Sequence, residues 1–161
     1  MNNTILGIDP GKQGALVFLG KEVKHYKMPL KDGKVDVGKV QSLIIFHNPS
    51  FVAIEQQYIM SRQRGAMATG ENYGRLTATL DLCGVKFKEV QSRDWQKHFG
   101  LYGTGKRGKV KKQLHIEKCE ELGYHVPPKS TRDGSSAHDG IADAYLVALY
   151  GKKLNERKKK K

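Results

Sequence analysis

The chain has 161 residues, with 29 Lys and Arg against 16 Asp and Glu, and its formal net charge is +13. This length predicts one domain that needs no disulfides, and no apolar run approaches the roughly 18 residues of a membrane span, so we expect a soluble cytoplasmic protein with no membrane partner. The excess of positive charge favours polyanions as partners.

Short apolar runs near the N-terminus are separated by glycine turns, a pattern typical of three successive antiparallel strands. They span 4–8, 15–19 and 23–28. A helix over 37–47 ends before Pro49, and the apolar run from Phe51 to Glu55 predicts a buried strand. The later elements are a helix over 66–82, a strand over 85–90, helices over 92–98 and 109–122, a polar loop over 130–136 and a last helix over 138–150.

This order of elements predicts an α/β protein in which helices flank a mixed central sheet of three antiparallel strands plus parallel strands. We expect one folded domain over residues 1–151. Residues 152–161, which are rich in lysine, are expected to form a basic C-terminal tail.

Three acidic residues lie in segments that otherwise favour burial. Asp9 ends the first strand, Glu55 ends the fourth strand, and Asp143 is surrounded by apolar residues of the last helix. A buried carboxylate costs several kcal/mol unless another group compensates its charge. Asp139 precedes Asp143 by four residues and therefore shares its helix face.

A divalent metal ion would compensate these charges, because Mg²⁺ and Mn²⁺ prefer hard oxygen ligands. Phosphodiester-cleaving sites commonly hold two such ions between carboxylates, so the four acids predict a metal-dependent nuclease. Taken singly, three of them have ordinary explanations: a turn cap for Asp9, a strand-end ion pair for Glu55 and a helix-dipole acid for Asp139.

Three segments resemble, in order and spacing, the RuvC family of Holliday junction resolvases, especially its shorter phage members. They are Ile5 to Gly11, Ala53 to Gln56 and His138 to Ala144, and the likeness extends to about Tyr150. The resemblance implies an RNase H-like fold, a homodimer, two Mg²⁺ or Mn²⁺ ions per active site, and paired nicking of branched DNA such as four-way junctions.

The resemblance also implies the catalytic metal ligands. Asp9, Glu55 and Asp143 match three family acids. In many relatives the fourth ligand lies three residues before the last aspartate, where this chain has Gly140. The pattern of the phage members assigns Asp139 as the fourth ligand, and His138 remains the alternative.

Candidates for DNA contact lie outside the carboxylates. The family places a base-stacking aromatic three residues after its second acid, which corresponds to Tyr58, although a core tyrosine is an equal alternative. Two basic, glycine-containing stretches suit a phosphate backbone, although the lysines of the second could equally form a solvated helix face. The predicted DNA-binding residues are Tyr58, Arg62, Arg64, Lys106, Arg107, Lys109 and Lys112.

Two other functions remain compatible with parts of the sequence. A non-catalytic basic protein that binds branched DNA would show the same charge. A phosphotransferase of the actin and sugar-kinase type would share the Gly-Ile-Asp-x-Gly hairpin from Gly7 to Gly11. The length disfavours the phosphotransferase, since such enzymes need a duplicated domain.

Overall fold

A mixed sheet forms the centre of the computed structural model, which describes residues 3–59, 64–130 and 137–159. The strands in these ranges are β1 (Ile5–Asp9), β2 (Ala15–Leu19), β3 (Val23–Lys27), β4 (Leu30–Lys31), β5 (Lys34–Val35), β6 (Phe51–Glu55) and β7 (Phe87–Val90). The main sheet has the order β3-β2-β1-β6-β7, while β4 and β5 form a separate small ribbon that the sequence did not predict.

The pairing confirms the predicted mixed sheet. β1, β2 and β3 are antiparallel neighbours, and β6 and β7 continue the sheet in parallel beside β1. The helices are α1 (Val37–His47), α2 (Ala66–Leu82), α3 (Ser92–His98), α4 (Gly108–Glu121) and α5 (Asp139–Lys159). Each lies within about two residues of its predicted start.

The two faces of the sheet carry separate cores, because successive side chains of a strand point to opposite faces. On one face Ile5, Val17 and Ala53 pack with residues of α3, α4 and α5. On the other face Leu6 and Ile54, among others, pack with α1 and α2. Coverage of both faces explains why β1 and β6 are apolar along almost their whole length.

Helix α5 lies unusually close to the sheet at Gly7 of β1. A Cβ atom at Gly7 would lie 2.2 Å from the Ala144 carbonyl oxygen and 2.5 Å from the Ala148 nitrogen. No side chain fits this space, so glycine sets the depth at which α5 packs on β1. This contact fixes where the acids of α5 lie relative to the end of β1.

The last helix is longer than the sequence predicted. It extends through Gly151 to Lys159, whereas the predicted end was residue 150, so residues 152–159 of the expected tail are helical. Leu154 packs against the core on the α5 face, and Lys153 Nζ lies 2.8 Å from His98 Nδ1, which ties this extension to α3. The functional division of the chain at residue 151 stays a prediction.

In the part of the chain that the structure describes, no helix combines the length and the apolar character needed to cross a bilayer.

Candidate active site

The ends of two neighbouring strands bring Asp9 and Glu55 to one edge of the sheet. β1 and β6 are parallel, and their register pairs Ile8 with Ile54, so the two acids are the next residues along adjacent strands. Asp9 ends β1 and Glu55 ends β6. Asp9 and Glu55 therefore lie side by side at the carboxyl ends of adjacent parallel strands.

Asp9 is the acid most strongly affected by its surroundings. Burial raises the pKa of Asp9 well above its usual range, and the nearby carboxylates of Asp143 and Glu55 raise it further. The Gly11 N–H donates to Asp9 Oδ1 at 3.2 Å, which partly offsets the shift. Three acids thus interact electrostatically at this end of β1.

Glu55 is held by a residue at the start of α3. Burial raises the pKa of Glu55 to about 7, although a hydrogen bond donated by the Ser92 hydroxyl to Glu55 Oε1 acts in the opposite direction. The Asp143 carboxylate raises the pKa as well. Near neutral pH this carboxyl group is therefore close to half protonated.

Asp139, in the first turn of α5, is paired with two lysines. Lys129 Nζ lies 2.6 Å from Asp139 Oδ1, and the Lys112 ammonium contacts Oδ2. Burial opposes ionisation, but the hydrogen bonds from these lysines outweigh it and lower the pKa of Asp139 to about 2. Lys112, predicted as a DNA contact, therefore contacts a candidate metal ligand directly, and sequence reasoning missed Lys129.

Asp143 is hydrogen-bonded to a buried histidine that the sequence analysis did not single out. His115 Nδ1 lies 2.6 Å from Asp143 Oδ1, and the histidine side chain is only 5% exposed. The Trp95 ring packs edge-on against the imidazole of His115, with 5.2 Å between the ring centres. One signal was available: Lys112, His115 and Cys119 recur at helical spacing, which places them on one face of α4.

Gly140, the position at which many relatives carry the fourth ligand, is packed against the turn after β1. A Cβ atom at Gly140 would lie 2.2 Å from the Gln13 carbonyl oxygen, so no side chain can occupy this position without a backbone shift. His138 is 7% exposed, and its Nδ1 accepts the Ile141 N–H at 3.2 Å at the start of α5. In this chain the acidic residue in the first turn of α5 is Asp139, one position before Gly140.

The four acids interact electrostatically, but they do not converge on one point. Among residues 3–59, 64–130 and 137–159, no group of three His, Cys, Asp or Glu side chains is arranged to hold a metal ion. Instead Asp139 contacts lysines, Asp143 contacts His115 and Glu55 contacts Ser92.

The donor set nevertheless fits a divalent cation in its chemistry and charge. All four side chains offer hard carboxylate oxygens. The raised pKa values of Asp9 and Glu55 show charge repulsion and desolvation that a bound dication would relieve. To share such an ion, Asp139 would have to release the lysines that now contact both of its oxygens.

The pKa of Glu55 predicts how the stability of the metal-free protein depends on pH. Folding raises this pKa from 4.5 to about 7, so the folded state binds more protons than the unfolded state between these values. The free energy of unfolding should therefore fall as pH rises through this window, and remain low above it. We expect Glu55→Gln to stabilise the metal-free protein by on the order of 2 kcal/mol near pH 8, and by almost nothing near pH 4.

Urea unfolding in the presence of a chelator at several pH values measures this difference. Gln keeps a side-chain oxygen for the Ser92 hydroxyl, so the hydrogen bond survives the substitution. Glu117→Gln, on the exposed side of α4, is the matched control and should give a curve parallel to that of the unmodified protein. If the Glu55→Gln curve is also parallel, the carboxyl group is not buried as described.

The predicted DNA-binding residues lie mostly on the surface. Tyr58 is 66% exposed, which excludes the core interpretation of this residue. Arg64, Lys106, Arg107 and Lys109 are exposed as well, the last two around the start of α4. Arg62 lies outside the described residues. The roles of these side chains in DNA binding stay predictions.

Comparison with known proteins finds similarity to junction resolvases in sequence and in fold. No family model matches the chain. Among curated proteins, the crossover junction endodeoxyribonucleases RuvC of several Coxiella burnetii strains are 22% identical over 126 residues, which cover 70% of this chain and 73% of theirs.

Solved structures match over a larger part of the chain. RuvC of Thermus thermophilus in complex with a Holliday junction substrate matches with a TM-score of 0.59 and 19% identity, over 96% of both chains. The yeast mitochondrial Holliday junction resolvase Ydc2 matches with a TM-score of 0.63 and 14% identity, over 98% of this chain and 81% of its own. The fowlpox virus resolvase, in complex with Holliday junction DNA, matches with a TM-score of 0.55 and 13% identity, over 94% of this chain and 98% of its own. The chain thus has the RNase H-like fold of these resolvases and is similar in sequence to the RuvC family.

Proposed function

We propose that this protein is a structure-selective endodeoxyribonuclease that resolves Holliday junctions or related branched DNA by metal-dependent phosphodiester hydrolysis. The observation that carries the proposal is the placement of Asp9, Glu55, Asp139 and Asp143. Two adjacent strand ends and one helix bring these acids close enough to interact electrostatically. Burial of Asp9 and Glu55 also costs desolvation free energy, and a purely structural role does not explain why the chain would bury them together.

The four carboxylates would hold two Mg²⁺ or Mn²⁺ ions. When bound, such ions supply charge stabilisation to the attacking and leaving oxygens of the phosphodiester. The chain's own residues orient the ligands: Ser92 holds one oxygen of Glu55, and His115 holds one oxygen of Asp143. Lys112 and Lys129, which contact Asp139, would contact a DNA phosphate once metal ions occupy the carboxylates.

The net charge of +13 supports DNA as the substrate, because Lys and Arg side chains gain affinity by releasing counterions from the phosphate backbone. Lys106, Arg107 and Lys109 are exposed beside the N-terminus of α4, the helix that carries Lys112 and His115 towards the acids. This arrangement gives the backbone of a bound strand a basic path towards the candidate active site.

We also propose a homodimer, because paired nicks in opposing strands require two active sites.

Titration of Mg²⁺ against a four-way DNA junction, with each strand labelled in turn, tests the proposed function. We expect metal-dependent nicks at symmetric positions in two opposing strands, with 5′-phosphate ends. A fully paired duplex of the same sequence serves as the control and should remain intact. Random nicks in the duplex would indicate a general nuclease, and junction binding without any cut would indicate a non-catalytic binding protein.

A further inference from the structure

The two lysines on Asp139 compensate the charge of a nearly buried carboxylate. The Asp139 side chain is 10% exposed, whereas the side chains of Lys112 and Lys129 are 54% and 42% exposed. Lys129 contacts one carboxylate oxygen and Lys112 contacts the other, so both oxygens are occupied. The carboxylate is therefore enclosed, while its two partners remain accessible to a second anion in solvent.

The segment that carries Lys129 is attached to the start of α5. Pro128 pairs with Ala137 in an isolated antiparallel bridge, and the His138 N–H donates to the Pro127 carbonyl oxygen at 2.8 Å. These contacts hold the backbone of Lys129 beside the first turn of α5. The pairing of this lysine with the acid in that turn is therefore supported by the fold.

Lys112 reaches the acids from α4, which packs on α5. Its hydrogen bond with Asp139 is the main cause of a raised pKa of Lys112, and the carboxylates of Asp143 and Asp9 raise this pKa further. One ammonium group thus interacts with three of the four candidate metal ligands. It supplies positive charge at the place where a bound metal ion would supply it.

A metal ion and two ammonium groups bind the same carboxylate less well together than separately. Like charges at such short distances repel, and the repulsion is stronger where burial excludes water. A lysine that leaves Asp139 needs another anion to replace the lost interaction. A DNA phosphate is such an anion, because it accepts charge-assisted hydrogen bonds from an ammonium group.

We propose that Lys112 and Lys129 compete with metal ions for Asp139, so that the site binds metal weakly until a DNA phosphate draws the lysines away. Metal ions and DNA would then strengthen each other's binding, because coupling between two ligands is reciprocal. The inference rests on the proposed function, which supplies both ligands. It adds regulation to the site, since metal ions are retained mainly where DNA is present.

Calorimetric titration of the DNA-free protein with Ca²⁺ tests the competition without cleavage, because Ca²⁺ also takes carboxylate oxygens as ligands. The double variant Lys112→Met, Lys129→Met removes both ammonium groups and keeps long side chains. We expect it to bind Ca²⁺ about 5- to 150-fold more tightly than the unmodified protein, the usual range for coupling between two ligands. Unchanged or weaker binding would overturn the proposal.

Two controls separate competition from the general effect of removing positive charge. The double variant Lys21→Met, Lys39→Met removes the same charge at exposed positions outside the predicted DNA-binding residues, and should change Ca²⁺ affinity little. With Asp139→Asn in the background, replacement of Lys112 and Lys129 should lose most of its effect on Ca²⁺ affinity. An equally large gain in either control would show that charge alone, not competition for Asp139, is responsible.

Junction affinity in Ca²⁺ and in EDTA, at equal ionic strength, tests the reciprocal effect. We expect Ca²⁺ to strengthen junction binding by the unmodified protein about 5- to 150-fold relative to its effect on the variant without Lys112 and Lys129. If the variant loses the same affinity in both conditions, the lysines contact DNA without competing with metal, and the proposal is wrong. Neither measurement needs cleavage, so this failure is distinguishable from failure of the unmodified protein to cut junctions in Mg²⁺.

Discussion

Replacement of Asp9 by asparagine is expected to lower the rate of junction cleavage at least about 10³-fold, because one charged ligand contributes several kcal/mol of stabilisation to the hydrolysis. Asparagine keeps an oxygen that can accept the Gly11 N–H, so the turn after β1 should remain intact. Removal of a buried, repelled carboxylate should also leave the metal-free protein at least as stable. Single-turnover cleavage of a labelled junction measures the rate.

Junction affinity, measured in Ca²⁺ or EDTA, should change little, because the basic surface is untouched. Asp32→Asn provides the matched control: Asp32 is exposed in the turn between β4 and β5, and its φ of 52° is one that asparagine adopts readily. This variant should cleave normally. Parallel loss of binding and cleavage in Asp9→Asn would contradict a role confined to chemistry.

The sequence was informative about Asp9 and Glu55 because their signal is local. An acid at the end of an apolar run is visible in five residues, whereas the parallel pairing of β1 and β6 that brings the two acids together is seen in the structure. Asp139 and Asp143 were visible for a similar reason, since four-residue spacing places them on one face of α5. The candidate acids therefore needed little tertiary information.

The partners of these acids were not visible because their contacts span long stretches of chain. Ser92 is 37 residues from Glu55, and His115 is 28 residues from Asp143. For His115 the only local signal is its helical spacing with Lys112 and Cys119, which places it on a face of α4 without naming the acid that it contacts. Lys112 was singled out for its charge alone, and only the packing of α4 on α5 shows that it contacts Asp139.

Gly151 explains why the end of α5 was predicted too early. A glycine after a run of apolar helical residues commonly ends a helix, so the predicted helix stopped at Tyr150. In the structure Gly151 lies inside the helix, and a Cβ atom there would lie 2.7 Å from the Ala53 Cβ. The residue is small because the helix crosses the sheet closely, a reason that no local pattern reveals.

Gly7 is another glycine at which α5 approaches the sheet closely, and its replacement is the second change from which we expect a large effect. We expect Gly7→Ala to lower the free energy of unfolding by about 3 kcal/mol, the upper end of the usual cost of overpacking, because the new methyl group meets backbone atoms of α5 rather than a flexible side chain. Urea unfolding measures this change. Since the Ala144 carbonyl cannot move without the helix, α5 must shift away from β1, and Asp143 must shift with it.

That displacement links the packing of the fold to the candidate chemistry. A folded fraction of Gly7→Ala should need more Mg²⁺ for half-maximal cleavage, because Asp143 would lie farther from Asp9 at the end of β1. Ala148→Gly, added to this variant, removes one close contact but leaves the Ala144 carbonyl in place, so only part of the stability should return.

Gly74→Ala on α2 is the control: nothing lies within 4 Å of its added methyl group, and alanine favours a helix by up to about 1 kcal/mol over glycine. If Gly7→Ala is as stable as Gly74→Ala, then α5 does not rest on the backbone of β1, and the proximity of Asp143 to Asp9 loses its structural basis.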